Sequence, residues 1–109
     1  MSRCQCDSTS AVACNLLAFN PEERSRYNQL RKELTAVLSI EEVPSGFAFL
    51  YPNQSSLLLK IAEWISYENQ CCPFIKFSLY VSGEADLIRL ELTGNEAVKN
   101  LLREEFSLF

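Results

Sequence analysis

The chain contains no histidine. Imidazole is therefore missing both as a metal ligand and as the usual general base, which argues against a Cys-His nucleophile of the papain type. No Cys-x-x-Cys spacing occurs either, so the paired knuckle that marks a zinc site is absent. Ten basic residues face fourteen acidic ones, for a formal net charge of −4, and the basic residues are scattered singly or in pairs. That distribution argues against nucleic acid and anionic membrane as partners. The longest apolar runs, such as Leu57-Leu58-Leu59, fall far short of a membrane span, and the N-terminus lacks the apolar stretch of a signal peptide. A cytoplasmic protein without a membrane partner is the expectation.

What is present is a chain of 109 residues with 48% apolar content, enough for one modest core and too short for two. No internal repeat, low-complexity tract or long linker divides it. Residues 1–10 form a polar, Ser-rich leader containing Cys4 and Cys6, expected to be flexible, and residues 11–109 read as a single domain. The cysteines number five. In a reducing cytosol an odd set of this kind suits thiols, metal ligands or redox groups better than a disulfide framework, so structural disulfides are not expected.

Along the chain the pattern alternates. Val12 to Phe19 is a candidate first strand, though its apolar content is too continuous to show a clear face. Asn20-Pro21-Glu22-Glu23 supplies a cap, a proline at the first helical position and a capping glutamate, and predicts a helix to about Leu38. Its apolar stripe is Tyr27, Leu30, Leu34, Val37 and Leu38. Pro44-Ser45-Gly46 is a turn signal before a buried strand carrying Phe47, Phe49 and Tyr51. A second helix is predicted from about Asn53 or Ser55 to just before Pro73, because proline disfavours helical geometry in the residue preceding it. Phe74 to Val81 and Asp86 to Leu92 then read as an antiparallel hairpin around Ser82-Gly83-Glu84-Ala85. Ile75, Phe77, Leu79 and Val81 are expected to face one core with Ile88, Leu90 and Leu92. Thr93-Gly94-Asn95-Glu96 opens a last helix with Val98, Leu101, Leu102 and Phe106 as its stripe. The resulting expectation is an α+β fold of βαβαββα order, a two-layer sandwich with helices on one face of a mixed sheet. The apolar tail Ser107-Leu108-Phe109 suits packing across that sheet or against a second copy in a homodimer, although a tail of this kind is more often simply docked or disordered.

The chemistry concentrates in Glu68-Asn69-Gln70-Cys71-Cys72-Pro73-Phe74. Each helical residue turns by about 100°, so Leu58, Ile61, Ile65, Glu68 and Cys72 share a face, as do Leu57, Ile61, Trp64, Glu68 and Cys71. Glu68 thus lies on or beside the core-facing stripe, where an unpaired carboxylate is costly. The plainer alternative is that it sits at the stripe's edge and reaches water or an arginine. Cys71 and Cys72 close a helix, where the dipole is negative, and Glu68 stands one turn behind. Both neighbours raise a thiol's pKa and oppose free-thiolate catalysis. A bound cation reverses the logic, because it deprotonates the thiols and is stabilised by the same carboxylate and dipole. A direct Cys71–Cys72 bridge is strained, since adjacent Cα atoms about 3.8 Å apart fall below the usual span of about 4.4 to 6.8 Å.

A complete metal site needs a further ligand. Cys14, on the candidate first strand, is the best one, and Cys4 and Cys6 could fold over as a lid. Three thiolates without imidazole suit a thiophilic ion of the arsenite, mercury, lead or zinc class. Against this stands the reading in which Cys14 and one of the adjacent pair are small buried hydrophobes.

The segment Glu68 to Phe77, followed by Leu90-Glu91-Leu92-Thr93-Gly94, resembles a family of small, largely uncharacterised bacterial proteins. Their pattern is Glu-x-x-Cys-Cys-Pro-Phe and then a strand ending in Leu-Thr-Gly before a last helix. Cys14-Asn15-Leu16 is similar to the family's upstream Cys-x-Leu. The likeness covers most of the chain after about Ala11, and Cys-Cys-Pro-Phe is its specific part. The shared positions are Cys14, Glu68, Cys71, Cys72, Pro73 and Phe74, whereas Cys4 and Cys6 have no counterpart. The family's loose association with heavy-metal resistance implies metal or metalloid binding.

The expectation is therefore a small α+β protein that binds a thiophilic metal or metalloid through Cys14, Cys71 and Cys72, with Glu68 as a further ligand or as an acceptor beside the site. Its rivals are a thiol-dependent redox enzyme using a vicinal dithiol, and a non-catalytic interaction module with structural cysteines.

Overall fold

The structure, a computed structural model, describes residues 19–35 and 39–106. Along these residues the order is α1 (Pro21–Thr35), β1 (Ser39–Val43), β2 (Gly46–Pro52), α2 (Ser55–Cys71), β3 (Lys76–Tyr80), β4 (Leu87–Thr93) and α3 (Glu96–Glu105). The fold is α+β. All but the last residue of the expected first strand lies outside the described residues, as do the leader 1–10 and the tail 107–109. No helix among the described residues is long and apolar enough to cross a membrane.

Two helix starts form as their sequences dictate. The Asn20 side chain accepts from the Glu23 backbone N–H at 2.8 Å while Glu23 Oε1 accepts from the Asn20 N–H at 3.0 Å, a reciprocal capping box. Asn95 Oδ1 accepts from the Val98 N–H at 2.9 Å and starts α3. Pro73 sets the other boundary that matters, because it holds Cys72 out of helical geometry, at φ −130° and ψ 71°.

The four strands lie in the order β1-β2-β4-β3, and every pairing is antiparallel. The mixed sheet expected from the sequence is thus not found among the described residues, and β1 is a strand that its polar sequence did not announce. Ser39-Ile40-Glu41-Glu42-Val43 lacks an apolar alternation, and among the described residues it stands at the edge of the sheet. Its charges are paired instead: Glu42 reaches Lys99 of α3 at 2.7 Å, and Glu41 accepts from Arg89 of β4 at 2.9 Å. β1 turns into β2 through Pro44 and Ser45. Gly46 is required there by close approach, since a Cβ at that position would stand 1.9 Å from the Leu92 carbonyl oxygen.

Phe47, Phe49 and Tyr51 of β2 lie opposite Leu92, Leu90 and Ile88 of β4, and all six are buried. They form one core with Tyr27, Leu30 and Leu34 of α1, Ile61 and Trp64 of α2, and Val98 and Leu102 of α3. Phe49 and Phe106 meet edge to face at 5.1 Å between ring centroids, and Trp64 contacts Phe106 the same way at 6.0 Å. Of the hairpin positions expected to face this core, Ile75 is buried and Phe77 half-buried, but Leu79 and Val81 are exposed. They lie at and beyond the end of the other edge strand, where burial runs out. The chain leaves α2 at Cys72 and, after three intervening residues, enters that edge strand, β3. The Cys-Cys-Pro-Phe segment therefore sits at the junction of the last turn of α2 with the sheet.

Candidate metal centre

The last turn of α2 carries the three residues singled out above. Glu68 is 3% exposed, Cys71 0% and Cys72 1%. Cys72 completes the turn by donating its backbone N–H to the Glu68 carbonyl at 2.6 Å. The two sulfurs are 3.5 Å apart. A carboxylate oxygen of Glu68 and both sulfurs all lie within 4.8 Å of one another, an arrangement compatible with holding a metal ion.

Burial on this scale decides the question of Glu68 against the stripe-edge reading. The Tyr27 hydroxyl, from α1, donates to Glu68 Oε2 at 3.0 Å. Desolvation pushes the carboxyl up to about 7, although the Tyr27 hydrogen bond and the charge of Arg31 pull it back. The Glu105 carboxylate adds to the upward shift. Arg31, one turn beyond Tyr27 on α1, contacts Glu105 of α3 twice, from Nη1 to Oε1 and from Nη2 to the backbone oxygen, each at 2.5 Å. Its guanidinium also lies 4.8 Å from the Phe106 ring centroid. Burial disfavours the Arg31 charge, but Glu105, Tyr27 and Glu68 more than offset that and hold its pKa above the ordinary value.

A cavity of about 10 Å3 adjoins Glu68 and Cys72. That is near the lower limit for a single water molecule. Glu105 also lines it, and its other walls include Ile75, Leu92 and Phe106. That space suits one small polar group.

One expectation is corrected here. Cys72 is disulfide-bonded in this structure, against the expectation that the cysteines are not engaged in disulfides. Its partner is not Cys71, because 3.5 Å is far beyond an S–S bond of about 2.05 Å. The chain's other cysteines, Cys4, Cys6 and Cys14, lie outside the described residues. Glu68, Cys71 and Cys72 thus come together as expected, and the place of Cys14 as third thiolate lies outside what is described. For Cys72 to serve as a thiolate ligand its disulfide must first be reduced.

The residues that sequence reasoning missed are those around Glu68. From the sequence, Tyr27 is only a member of an apolar stripe, and nothing by itself distinguishes Arg31 or Glu105. A signal existed: Tyr27 and Arg31 are four apart on one helix face, and a glutamate on a core stripe requires a donor.

Family models, curated proteins and solved structures were all compared with this chain, and none matches.

Proposed function

We propose that the protein, with Cys72 reduced, binds a thiophilic metal or metalloid ion of the arsenite, mercury or zinc class through Cys71, Cys72 and Glu68, with Cys14 as a candidate third thiolate. The observation that carries this reading is the burial of two sulfurs and a carboxylate within 4.8 Å of one another. Once Cys72 is reduced, a single cation can be coordinated by the two sulfurs and the carboxylate together. The resemblance of Glu68 to Phe74 to proteins associated with heavy-metal resistance points the same way. Binding is tested by titrating the reduced chain with each ion and comparing the Cys14→Ser, Cys71→Ser and Cys72→Ser variants. Sharply weakened binding in Cys71→Ser and Cys72→Ser is expected. Unchanged stoichiometry and affinity in all three variants would sink the proposal.

A dithiol redox role is the second reading, favoured by the disulfide at Cys72 with the Cys71 sulfur 3.5 Å away. It predicts reversible oxidation coupled to a thiol-disulfide partner and no dependence on Glu68. Thiol titration against pH, together with redox equilibration against glutathione, separates it from ion binding.

A further inference from the structure

We propose that the β3 edge of the sheet is an interaction surface whose partner is a second copy of this chain, the two β3 strands pairing antiparallel about a two-fold axis at Ser78.

Among the described residues β3 pairs with β4 alone, so the backbone groups along its other side are left to water or to a partner. The two edges of the sheet are built differently. β1 carries Glu41 and Glu42, whose ion pairs with Arg89 and Lys99 set charge along it. β3 has one charge, Lys76 at its start, followed by Phe77-Ser78-Leu79-Tyr80. Charge on an edge opposes the addition of a strand, and an uncharged edge admits it.

Apolar side chains are exposed on both faces of the β3 edge. Leu79, and Val81 just past the strand's end, continue the alternation of the buried Ile75 and half-buried Phe77. Tyr80 lies on the opposite face with Leu87 of β4. These four residues are between 37% and 53% exposed. A hollow of about 520 Å3 opens among them. Arg89, the charged residue in its wall, is held by Glu41 and Glu91, so the hollow offers apolar surface and no uncompensated charge.

A second copy fits this edge because the strand is self-complementary. Antiparallel pairing centred on Ser78 sets Phe77 opposite the partner's Leu79 and Ile75 opposite the partner's Val81. Residues directly opposite share a face, so the exposed end of each apolar row meets the covered end of the other. Lys76 falls opposite the partner's Tyr80, and no like charges meet across the axis although each chain carries −4. An unrelated strand would match the backbone but not this set of side chains. The two-fold also closes the assembly. Two four-stranded sheets join into one whose outer edges are both β1, where the charged side chains stop further growth. A five-residue strand gives a ladder about 17 Å long, at the small end of specific interfaces, so the dimer exchanges with monomer.

The test uses the full chain with its disulfide intact. Sedimentation across a concentration series should show a reversible equilibrium between monomer and dimer and nothing larger. Amides of residues 76–80 that face away from β4 should gain at least about tenfold protection from hydrogen exchange between dilute and concentrated protein, and those of β1 none. Leu79→Lys, which buries a charge against the partner's Phe77, should weaken dimerisation at least about tenfold and leave the Tm of the dilute monomer unchanged. Ser78→Lys, which opposes two like charges at the axis, should do the same and serves if Leu79→Lys does not fold. Leu59→Lys, at a 72% exposed position on α2, should leave the dimer intact. A monomer at every concentration, a dimer whose β3 amides gain no protection, or open-ended growth would each overturn the proposal. So would a dimer that survives the edge variants or is lost in Leu59→Lys.

Discussion

The Tyr27 hydroxyl and the Glu68 carboxylate meet at 3.0 Å, both residues buried and 41 positions apart in the chain. This contact ties α1 to the turn that carries the candidate ligands. Tyr27→Phe removes the donor and little else. The expected cost is about 1 to 3 kcal/mol in the reduced, ion-free protein, measured by urea unfolding. Because the hydrogen bond holds the Glu68 pKa down, the same variant should titrate at higher pH, a change visible in the carboxyl infrared band.

Glu68 also gives the fold a pH dependence of unusual sign. Its carboxyl rises from an ordinary value of 4.5 to about 7 on folding, so the folded state binds more protons between those limits. The contribution is fully present below about 4.5, falls as pH rises and is lost above about 7. The half-buried Glu33 and Glu63 and the exposed Glu42 act the other way at acid pH, since hydrogen bonds from Lys60, Arg26 and Lys99 respectively lower their pKa values. The measurement is therefore a difference between the native chain and Glu68→Gln in unfolding free energy across pH 4 to 8. That difference should move against the native chain by on the order of 3 kcal/mol as pH rises. A flat difference would show that Glu68 titrates normally.

Gly46→Ala should be among the most damaging single-methyl changes available in this chain. The added Cβ would meet the Leu92 carbonyl, a backbone group in the strand beside it, at 1.9 Å. Either β2 or β4 must move, and both are central strands. A loss of more than about 2 kcal/mol is expected, seen as a fall in Tm of about 10 °C or more. Gly83→Ala, where nothing lies within 4 Å of the new carbon, is the control and should shift Tm little.

Much of this fold is legible in the sequence where local chemistry and burial agree. Asn20-Pro21 and Asn95 start helices, Pro73 stops one, and Phe47, Phe49 and Tyr51 alternate on a central strand. β1 was not legible, because an edge strand stabilised by Glu41 and Glu42 ion pairs carries no apolar period. Leu79 and Val81 misled for the opposite reason: they alternate as core residues do, yet they stand where the sheet outruns its cover. For the site, helical spacing was enough to bring Glu68, Cys71 and Cys72 together, since all three belong to one turn. The partners of Glu68 come from α1 and, through Arg31, from α3. The four-residue spacing of Tyr27 and Arg31 is local, but that they meet Glu68 follows only from the packing of the helices.

The amide hydrogen bond from Cys72 to the Glu68 carbonyl closes the turn that holds every described donor. The described candidate ligands are thus carried by five consecutive residues and share one fate. Fraying of that single turn, with the rest of the fold intact, disperses the whole set together. The lifetime of a bound ion is then governed by a local opening and not by global unfolding. Conversely, an ion that bridges the two sulfurs locks the end of α2, so hydrogen exchange at the Cys72 amide becomes a direct clock for its departure.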